Sequence, residues 1–561
     1  MAFSLAYTAV PSDRPSDWPG RGCAETNVPY RPWADLQAVP PDPRLLRAIP
    51  AGVLLAANAV PWRRDRGGVI FAGTAPAALS DLARAAEAFG LSDADGCRFV
   101  DADPDATAAA LRLVEEAQAR AAACRVRADE SCRDFGAPGP AAALMAGLAL
   151  IAAAAWPVAA AALVLSVAAV FLAATTALRL LAAFFATAPV EEARAIPMVP
   201  PVISVLIPLF REGDVTRRLL ARLTRLDYPR DSLDIRLVVE AGDAVTAQAL
   251  DGIRLPHWIT VVRVPPGPVQ TKPRAMNHAL DGCRGEIVGI WDAEDAPAPD
   301  QLRRVAERFA AAPADLACLQ GRLRLDPTGR GWLAQCFALE YAVWFGLILP
   351  GLARMGLPVP LGGTTVFIRR HALEAVGGWD AHNVTEDADL GIRLYRHGWR
   401  TDLVDTETVE EPTQRPVAWI RQRSRWLKGY AVTWWVHARR PSRLVADLGV
   451  RGALGVHVLF LGALAQFTLA PFLWLFWTAA AGASVLPLPA SALWAFTGLF
   501  LLSEATGLAL YALAARRTGR LSRALLGPTM LIYFPLATLA AWKALIELAV
   551  APFYWDKTDH D

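Results

Sequence analysis

The run from Pro140 to Ala186 is apolar and carries a single charge, Arg179. It is about twice the ~20 residues that one membrane-spanning helix needs. Trp156-Pro157 lies near its middle and is read as the tip of a transmembrane hairpin over residues 139–187. A second apolar block, Gly452 to Ala515, is interrupted by Ser484-Val-Leu-Pro-Leu-Pro489, which predicts another hairpin over 452–516. Neither tip is charged. The opposite ends are rich in arginine: Arg120, Arg125, Arg127 and Arg133 precede the first block. Arg439, Arg440, Arg443 and Arg451 precede the second, and Arg516, Arg517, Arg520 and Arg523 follow it. Positive flanks stay cytosolic. The chain is therefore expected to be a multi-pass protein of the cell inner (plasma) membrane. Its N-terminal region, the segment between the hairpins and its tail would face the cytosol.

Composition agrees, with 54% hydrophobic residues and a mean hydropathy of +0.29. Lys+Arg 56 against Asp+Glu 54 leaves +2, which speaks against a nucleic-acid partner. The 7 cysteines form no Cys-x-x-Cys pair, so reduced thiols are expected. Met1-Ala-Phe-Ser-Leu-Ala-Tyr7 lacks the basic start and long apolar core of a cleaved signal peptide. Residues 524–551 are long enough to span. Pro528, Pro535 and the Lys543/Glu547 pair make them read as an interfacial or re-entrant helix, with 552–561 as a tail. Arg179 and Glu504 fall inside spans. Intramembrane charge marks function, while the bland alternative is that Arg179 snorkels and Glu504 pairs with a hydroxyl or with Arg179.

Residues 198–440 lie between the hairpins. Val202-Ile-Ser-Val-Leu-Ile207, ended by Pro208, reads as a buried strand, followed by a helix over Arg217 to Leu226. Leu233–Val239, Ile259–Val264 and Glu286–Trp291 read as further strands. This alternation predicts a mostly parallel α/β sheet. Ligands of such sheets bind at the carboxyl ends of the strands. Glu212, Glu240, Asp243, Lys272 and Asp292 stand there. Trp332 to Leu349 reads as an aromatic, apolar helix at the membrane interface. Carboxylates at a strand end suit a hard Mg²⁺ or Mn²⁺.

Three motifs follow in order: Asp292-Ala-Glu-Asp295, Thr385-Glu386-Asp387, and Gln422-Arg-Ser-Arg425-Trp426. This order resembles the processive branch of the family 2 glycosyltransferases, the membrane synthases of cellulose, hyaluronan and related β-glycans. The resemblance implies a GT-A fold for 198–440. It also implies an inverting, metal-dependent transfer from a nucleotide-sugar donor, expected to be UDP-glucose, to a growing glycan. Asp292 would hold Mg²⁺ or Mn²⁺ with Glu294 or Asp295, where the family pattern is Asp-x-Asp. Glu240 and Asp243 would meet the base of the nucleotide, with Lys272, Arg274 and Glu212 also on the donor. Asp387 would be the general base, with Glu386 beside it. Gln422 and Arg425 would meet the departing diphosphate, and Trp426 the acceptor sugar. Gly362, Gly363 and Thr364 resemble the acceptor-contacting loop. Trp555, Lys557 and Thr558 in the tail resemble a gating segment.

Residues 1–44, rich in proline, are expected to be irregular. Residues 45–118 read as a small α/β regulatory or docking domain, with strands at Val53-Leu-Leu-Ala and Gly68–Ala72 and a helix over Leu79–Phe89; 119–138 is a linker. This domain resembles the N-terminal domain of type II secretion ATPases, some versions of which bind cyclic di-GMP. Cyclic di-GMP or an accessory export subunit is thus an implied partner, beside the lipid bilayer. The leading expectation is elongation of an exported β-glycan. The rivals are transfer of one sugar to a lipid carrier and an inactive, transferase-like membrane receptor.

Overall fold

The computed structural model describes residues 33–552 apart from 50, 66–67, 89, 92–95, 137–138, 188–198, 214, 329–330 and 474–488. The chain divides into two compact units, Met1–Val114 and Glu115–Asp561.

The first unit holds four strands: β1 (Trp33–Ala34), β2 (Ala59–Asp65), β3 (Gly68–Gly73) and β4 (Arg98–Ala102). They form a sheet in the order β1-β4-β3-β2. Phe71, Leu82, Val100 and Val114 are buried in its core. Two expectations fail here. Val53-Leu-Leu-Ala is not a strand; it lies in the helix Ala51–Ala57. Its apolar residues sit at helical spacing, with Leu54 and Ala57 buried, and a run this short cannot be told from a strand by hydrophobicity alone. Residues 35–42 are irregular as expected, but regular structure appears at both ends of that stretch. β1 adds in parallel to β4, and Asp42 caps the helix Pro43–Ala48 by accepting from the Arg44 N–H at 2.8 Å.

The second unit is built on β5 (Ile203–Leu209), β6 (Leu233–Glu240), β7 (Ile259–Val264), β8 (Ile287–Ile290), β9 (Ala296–Pro297), β10 (Leu316–Leu325), β11 (Val366–Arg369) and β12 (Arg400–Glu410). The order is β7-β6-β5-β8-β11-β10-β12-β9. The first four run parallel, and β11 is antiparallel to both β8 and β10. Ile203, Val205, Ile207 and Leu209 pack one face and Leu206 the other, which is why β5 reads as a continuous apolar run. Amphipathic helices cover the sheet; in Gln301–Ala310, Leu302, Val305, Ala306 and Phe309 turn inward.

Pro208 does not end the first strand. It lies within β5, in register with Val238. The ladder to β8 stops at Leu206, so the missing N–H of Pro208 breaks no bond on that side.

Among the described residues, four helices are long and apolar enough to cross a membrane: Pro157–Ala186, Trp332–Arg354, Pro441–Thr468 and Ala490–Arg517. A bent pair, Leu521–Tyr533 and Pro535–Val550 at 44°, passes the same test when taken together. The break expected at Trp156-Pro157 is present, but its first arm, Pro140–Ala155, has only 16 residues. Trp332–Arg354 differs from an interfacial helix: 61% of its most apolar stretch is buried inside the protein, so much of its apolarity serves packing. The proposed second tip, 484–488, and the tail residues Trp555, Lys557 and Thr558 lie outside the described residues.

Candidate active site

A cleft of about 500 Å³ opens at the carboxyl ends of β5, β6 and β8. One wall comes from the strand ends: Phe210, Glu212, Glu240, Asp292 and Glu294. The helix Lys272–Leu280 starts over it. Thr271 caps that helix and Pro273 occupies its first turn, which aims Lys272 across the cleft. Lys272 Nζ donates to Asp292 Oδ1 at 2.5 Å and to the Gly363 carbonyl at 3.2 Å. Burial alone would lower this ammonium's pKa, but Asp292, Glu386 and Asp387 outweigh it and hold it above its ordinary value.

The opposite wall is the first turn of the helix Glu386–Arg396. A helix N-terminus favours ionised carboxylates, yet burial wins here. Asp387 is pushed up to about 6 by burial, against the Ala388 N–H, Lys272 and Arg425. Glu386 is pushed up to about 7 by burial and then by Asp387. Gly363 makes this approach possible. Its φ is +83°, and a Cβ there would stand 2.9 Å from Asp387 Oδ2.

The helix Pro416–Ala438 closes the cleft with Gln422, Arg425 and Trp426. Thr413 Oγ1 donates to Gln422 Oε1 at 3.5 Å. Between them Arg423 turns away and pairs with Glu340 at 2.6 Å, stacked over Trp419 and Trp426 at 4.9 and 4.8 Å. Trp426 faces Phe337 and Tyr341, with ring centroids at 6.2 and 6.4 Å.

Most of the expected residues thus meet in one cleft: Glu212, Glu240, Lys272, Asp292, Glu294, Gly362, Gly363, Thr364, Glu386, Asp387, Gln422, Arg425 and Trp426. The structure does not bring Asp243, Arg274 or Asp295 to its lining. Asp243 caps the helix Ala244–Leu250 and accepts from the Arg211 N–H at 2.6 Å. Arg274, almost fully buried, forms a two-pronged bond to Glu240 at 2.8 and 3.0 Å and donates to the Pro265 carbonyl at 2.8 Å. Asp295 is buried, accepts from the Asp292 N–H at 2.8 Å and bonds Thr364 Oγ1. Burial, Asp292 and Glu294 push its carboxyl well up, and its hydrogen bonds brace the turn.

The donor set fits a divalent cation held lightly. Among the described residues no three His, Cys, Asp or Glu side chains group closely enough to enclose a metal. Asp292 and Glu294 remain as cleft-facing carboxylates, and Mg²⁺ commonly takes one or two of these with the rest from phosphate and water.

Sequence reasoning missed Tyr341, Phe337 and Glu410, all of which line the cleft. Glu410 ends β12, and burial followed by Asp295, Asp292 and Glu294 pushes its carboxyl well up. The acidic pair Glu410-Glu411 before Pro412, just ahead of the Gln-x-x-Arg-Trp helix, was the available signal.

A second cavity of about 250 Å³ adjoins the first and shares Tyr341, Gly362, Thr385, Asp387 and Trp426 with it. It reaches between the four apolar helices, where Arg179 Nη2 donates to Gln466 Oε1 at 3.2 Å. Arg179 and Glu504 both line a smaller cavity of about 100 Å³ further on.

Residues 200–429 match the profile of the glycosyltransferase-like family 2, and residues 27–121 that of the MshEN domain. The chain therefore carries a family 2 glycosyltransferase domain with the GT-A fold. It is 30% identical over 261 residues to a beta-monoglucosyldiacylglycerol synthase of Synechocystis sp., covering 45% of this chain and 53% of that one. It is 25% identical to the UDP-forming cellulose synthase catalytic subunit of Komagataeibacter sucrofermentans, covering 41% and 30%. The chain spans about half the length of the first of these relatives, 53%, and less of the second. A solved mannosyltransferase of Pyrobaculum calidifontis, in complex with GDP-Man and Mn²⁺, aligns over 69% of this chain and 98% of its own, with 21% identity and a TM-score of 0.46.

Proposed function

We propose that this protein is an inverting, metal-assisted hexosyltransferase of the inner membrane. It takes a cytosolic nucleotide sugar, with UDP-glucose the expected donor, and elongates a β-linked glycan for export. The observation that carries this reading is the meeting, in one cleft, of a buried carboxylate poised near neutrality, a lysine on a strand-end aspartate, and the Gln422/Arg425/Trp426 face. The acceptor hydroxyl lies by Trp426 and Tyr341, within reach of Asp387. Asp387 takes its proton as the oxygen attacks the anomeric carbon opposite the nucleoside diphosphate. The bond to the diphosphate oxygen breaks, and Lys272 and Arg425 meet the charge that develops there. A divalent cation on Asp292 and Glu294 would supply further charge neutralisation for that leaving group.

The arginine-rich flanks support a cytosolic catalytic domain. The match to the MshEN domain supports regulation through residues 27–121, with cyclic di-GMP as the effector. The segment 552–561 would close over the donor as a gate. A second reading, transfer of one sugar to a lipid, is favoured by the small second cavity among the apolar helices and by the named relative from Synechocystis. Purified protein given labelled UDP-glucose separates the readings by product size. Polymer supports elongation, and a single glycolipid supports the second reading. No transfer from any nucleotide sugar overturns both.

A further inference from the structure

Glu410 is the last residue of β12 and its backbone is pinned: it pairs with Leu325, and its carbonyl accepts from the Asp326 N–H at 2.9 Å. Its side chain enters the cleft beside Asp292, Glu294 and Lys272. Oε1 is buried and has no hydrogen-bond partner among the described residues. Asp295, Asp292 and Glu294 are the carboxylates that act on it most strongly, with Lys272 the counter-charge. A fold gains nothing by burying one more carboxyl among carboxyls. Such a group is held there for a ligand.

Position decides which ligand. Tyr341, Gly362, Thr385, Asp387 and Trp426 line both cavities and so mark the acceptor side. Glu410, Asp292, Glu294 and Lys272 line only the first. Lys272, Asp292, Glu410, Tyr341 and Trp426 all line the first cleft. Glu410 therefore shares one space with the groups proposed to meet the diphosphate and the rings proposed to meet the acceptor.

We propose that Glu410 binds hydroxyl groups of the transferred sugar and so sets which nucleotide sugar is accepted, an inference that rests on the nucleotide-sugar reading above. A carboxyl can engage neighbouring hydroxyls, and an epimer that redirects one of them leaves the buried oxygen unpaired.

The test compares full-length wild type, Glu410→Gln and Glu410→Ala in detergent, with UDP-glucose, UDP-N-acetylglucosamine and GDP-mannose as donors and UDP or GDP as competitive inhibitor. For the donor that wild type prefers, Glu410→Ala is expected to lose about 10- to 100-fold in kcat/KM, mostly through KM, as when the partner of a buried polar group is removed. The preference among donors should narrow. Glu410→Gln, which keeps the shape and one carbonyl oxygen, should fall between. The inhibition constant of the free nucleotide should move by less than about twofold. A parallel weakening of nucleotide inhibition would assign Glu410 to the diphosphate or its cation and overturn the proposal. An unchanged donor preference would overturn it too. So would a large fall in melting temperature in both variants, which would assign Glu410 to the fold. Failure of the wild type to use any donor would instead remove the nucleotide-sugar reading itself.

Discussion

Asp387 shows how little a residue's type says without its surroundings. An aspartate at a helix N-terminus is ordinarily a capping charge, whereas here burial lifts it to about 6. A base must be ionised to act, so kcat should be flat above pH 6 and fall about tenfold per unit below it. A limb centred near pH 4 in the kcat profile would contradict that environment. Asp387→Asn keeps shape and removes basicity, and turnover should drop by ~10²–10⁴ with UDP binding retained. More than a tenth of wild-type turnover would refute the assignment. Asp292→Ala should remove both turnover and its stimulation by Mg²⁺ or Mn²⁺. Full wild-type activity in excess chelator would dismiss the cation. That Asp292 and Asp387 would share one cleft was legible because their motifs come in a fixed order. Asp295 and Arg274 were legible as charged residues of the right neighbourhood, but burial turned them into braces for Asp292 and Glu240.

Elements add what motifs lack, which is relative placement. The helices Glu386–Arg396 and Pro416–Ala438 must keep one register so that Asp387 and Arg425 face the same cleft. Three contacts do this. His437 Nε2 and Asp389 Oδ1 are 3.0 Å apart and fully buried, with Arg393 on the other carboxylate oxygen at 2.7 Å. Asn383 Nδ2 donates to Thr433 Oγ1 at 2.9 Å. Gly429 lies so close to Thr385 that a Cβ would stand 2.3 Å from its hydroxyl oxygen. Gly429→Ala should therefore push the two helices apart. A displacement near 1 Å can cost on the order of 100-fold in rate, so kcat should fall at least tenfold, well beyond any loss in UDP affinity. Equal losses in both would mean that the glycine serves folding alone. Nothing in the sequence joins Thr385 to Gly429.

At the scale of the whole molecule, the helix Pro104–Ala123 carries the chain from the first unit into the second. Its last turn belongs to the second unit and packs there on the helix Lys272–Leu280. Asn277, on the Lys272 helix, donates to the Ala122 carbonyl at 2.9 Å, and Arg125 pairs with Asp281 at 2.5 Å. Cyclic di-GMP added to the full-length protein should change the transfer rate at least about twofold, a modest coupling. Deleting residues 1–102 should abolish that response and leave basal transfer. An unresponsive full-length enzyme would reduce the first unit to a docking module.

Local order determined what could be read from the chain alone. Long apolar runs cannot be hidden in water, so three of the membrane-length helices found among the described residues were visible, while Trp332–Arg354 was read only as an interfacial helix. Parallel strands buried on both faces announce themselves as β5, β6 and β8 do. Short elements were decided elsewhere. Ala51–Ala57 became a helix because the core of its own sheet required Leu54 and Ala57 on one face. The antiparallel β11, and the pairing of β10 with β12, join segments far apart in the chain and leave no local mark. The same holds at the site. Motifs carry residue type and order, which chemistry constrains directly. Burial, which poises Asp387, raises the Asp295 carboxyl and leaves Glu410 Oε1 without a hydrogen-bond partner among the described residues, depends on what the rest of the chain packs around them, and only the tertiary structure decides that.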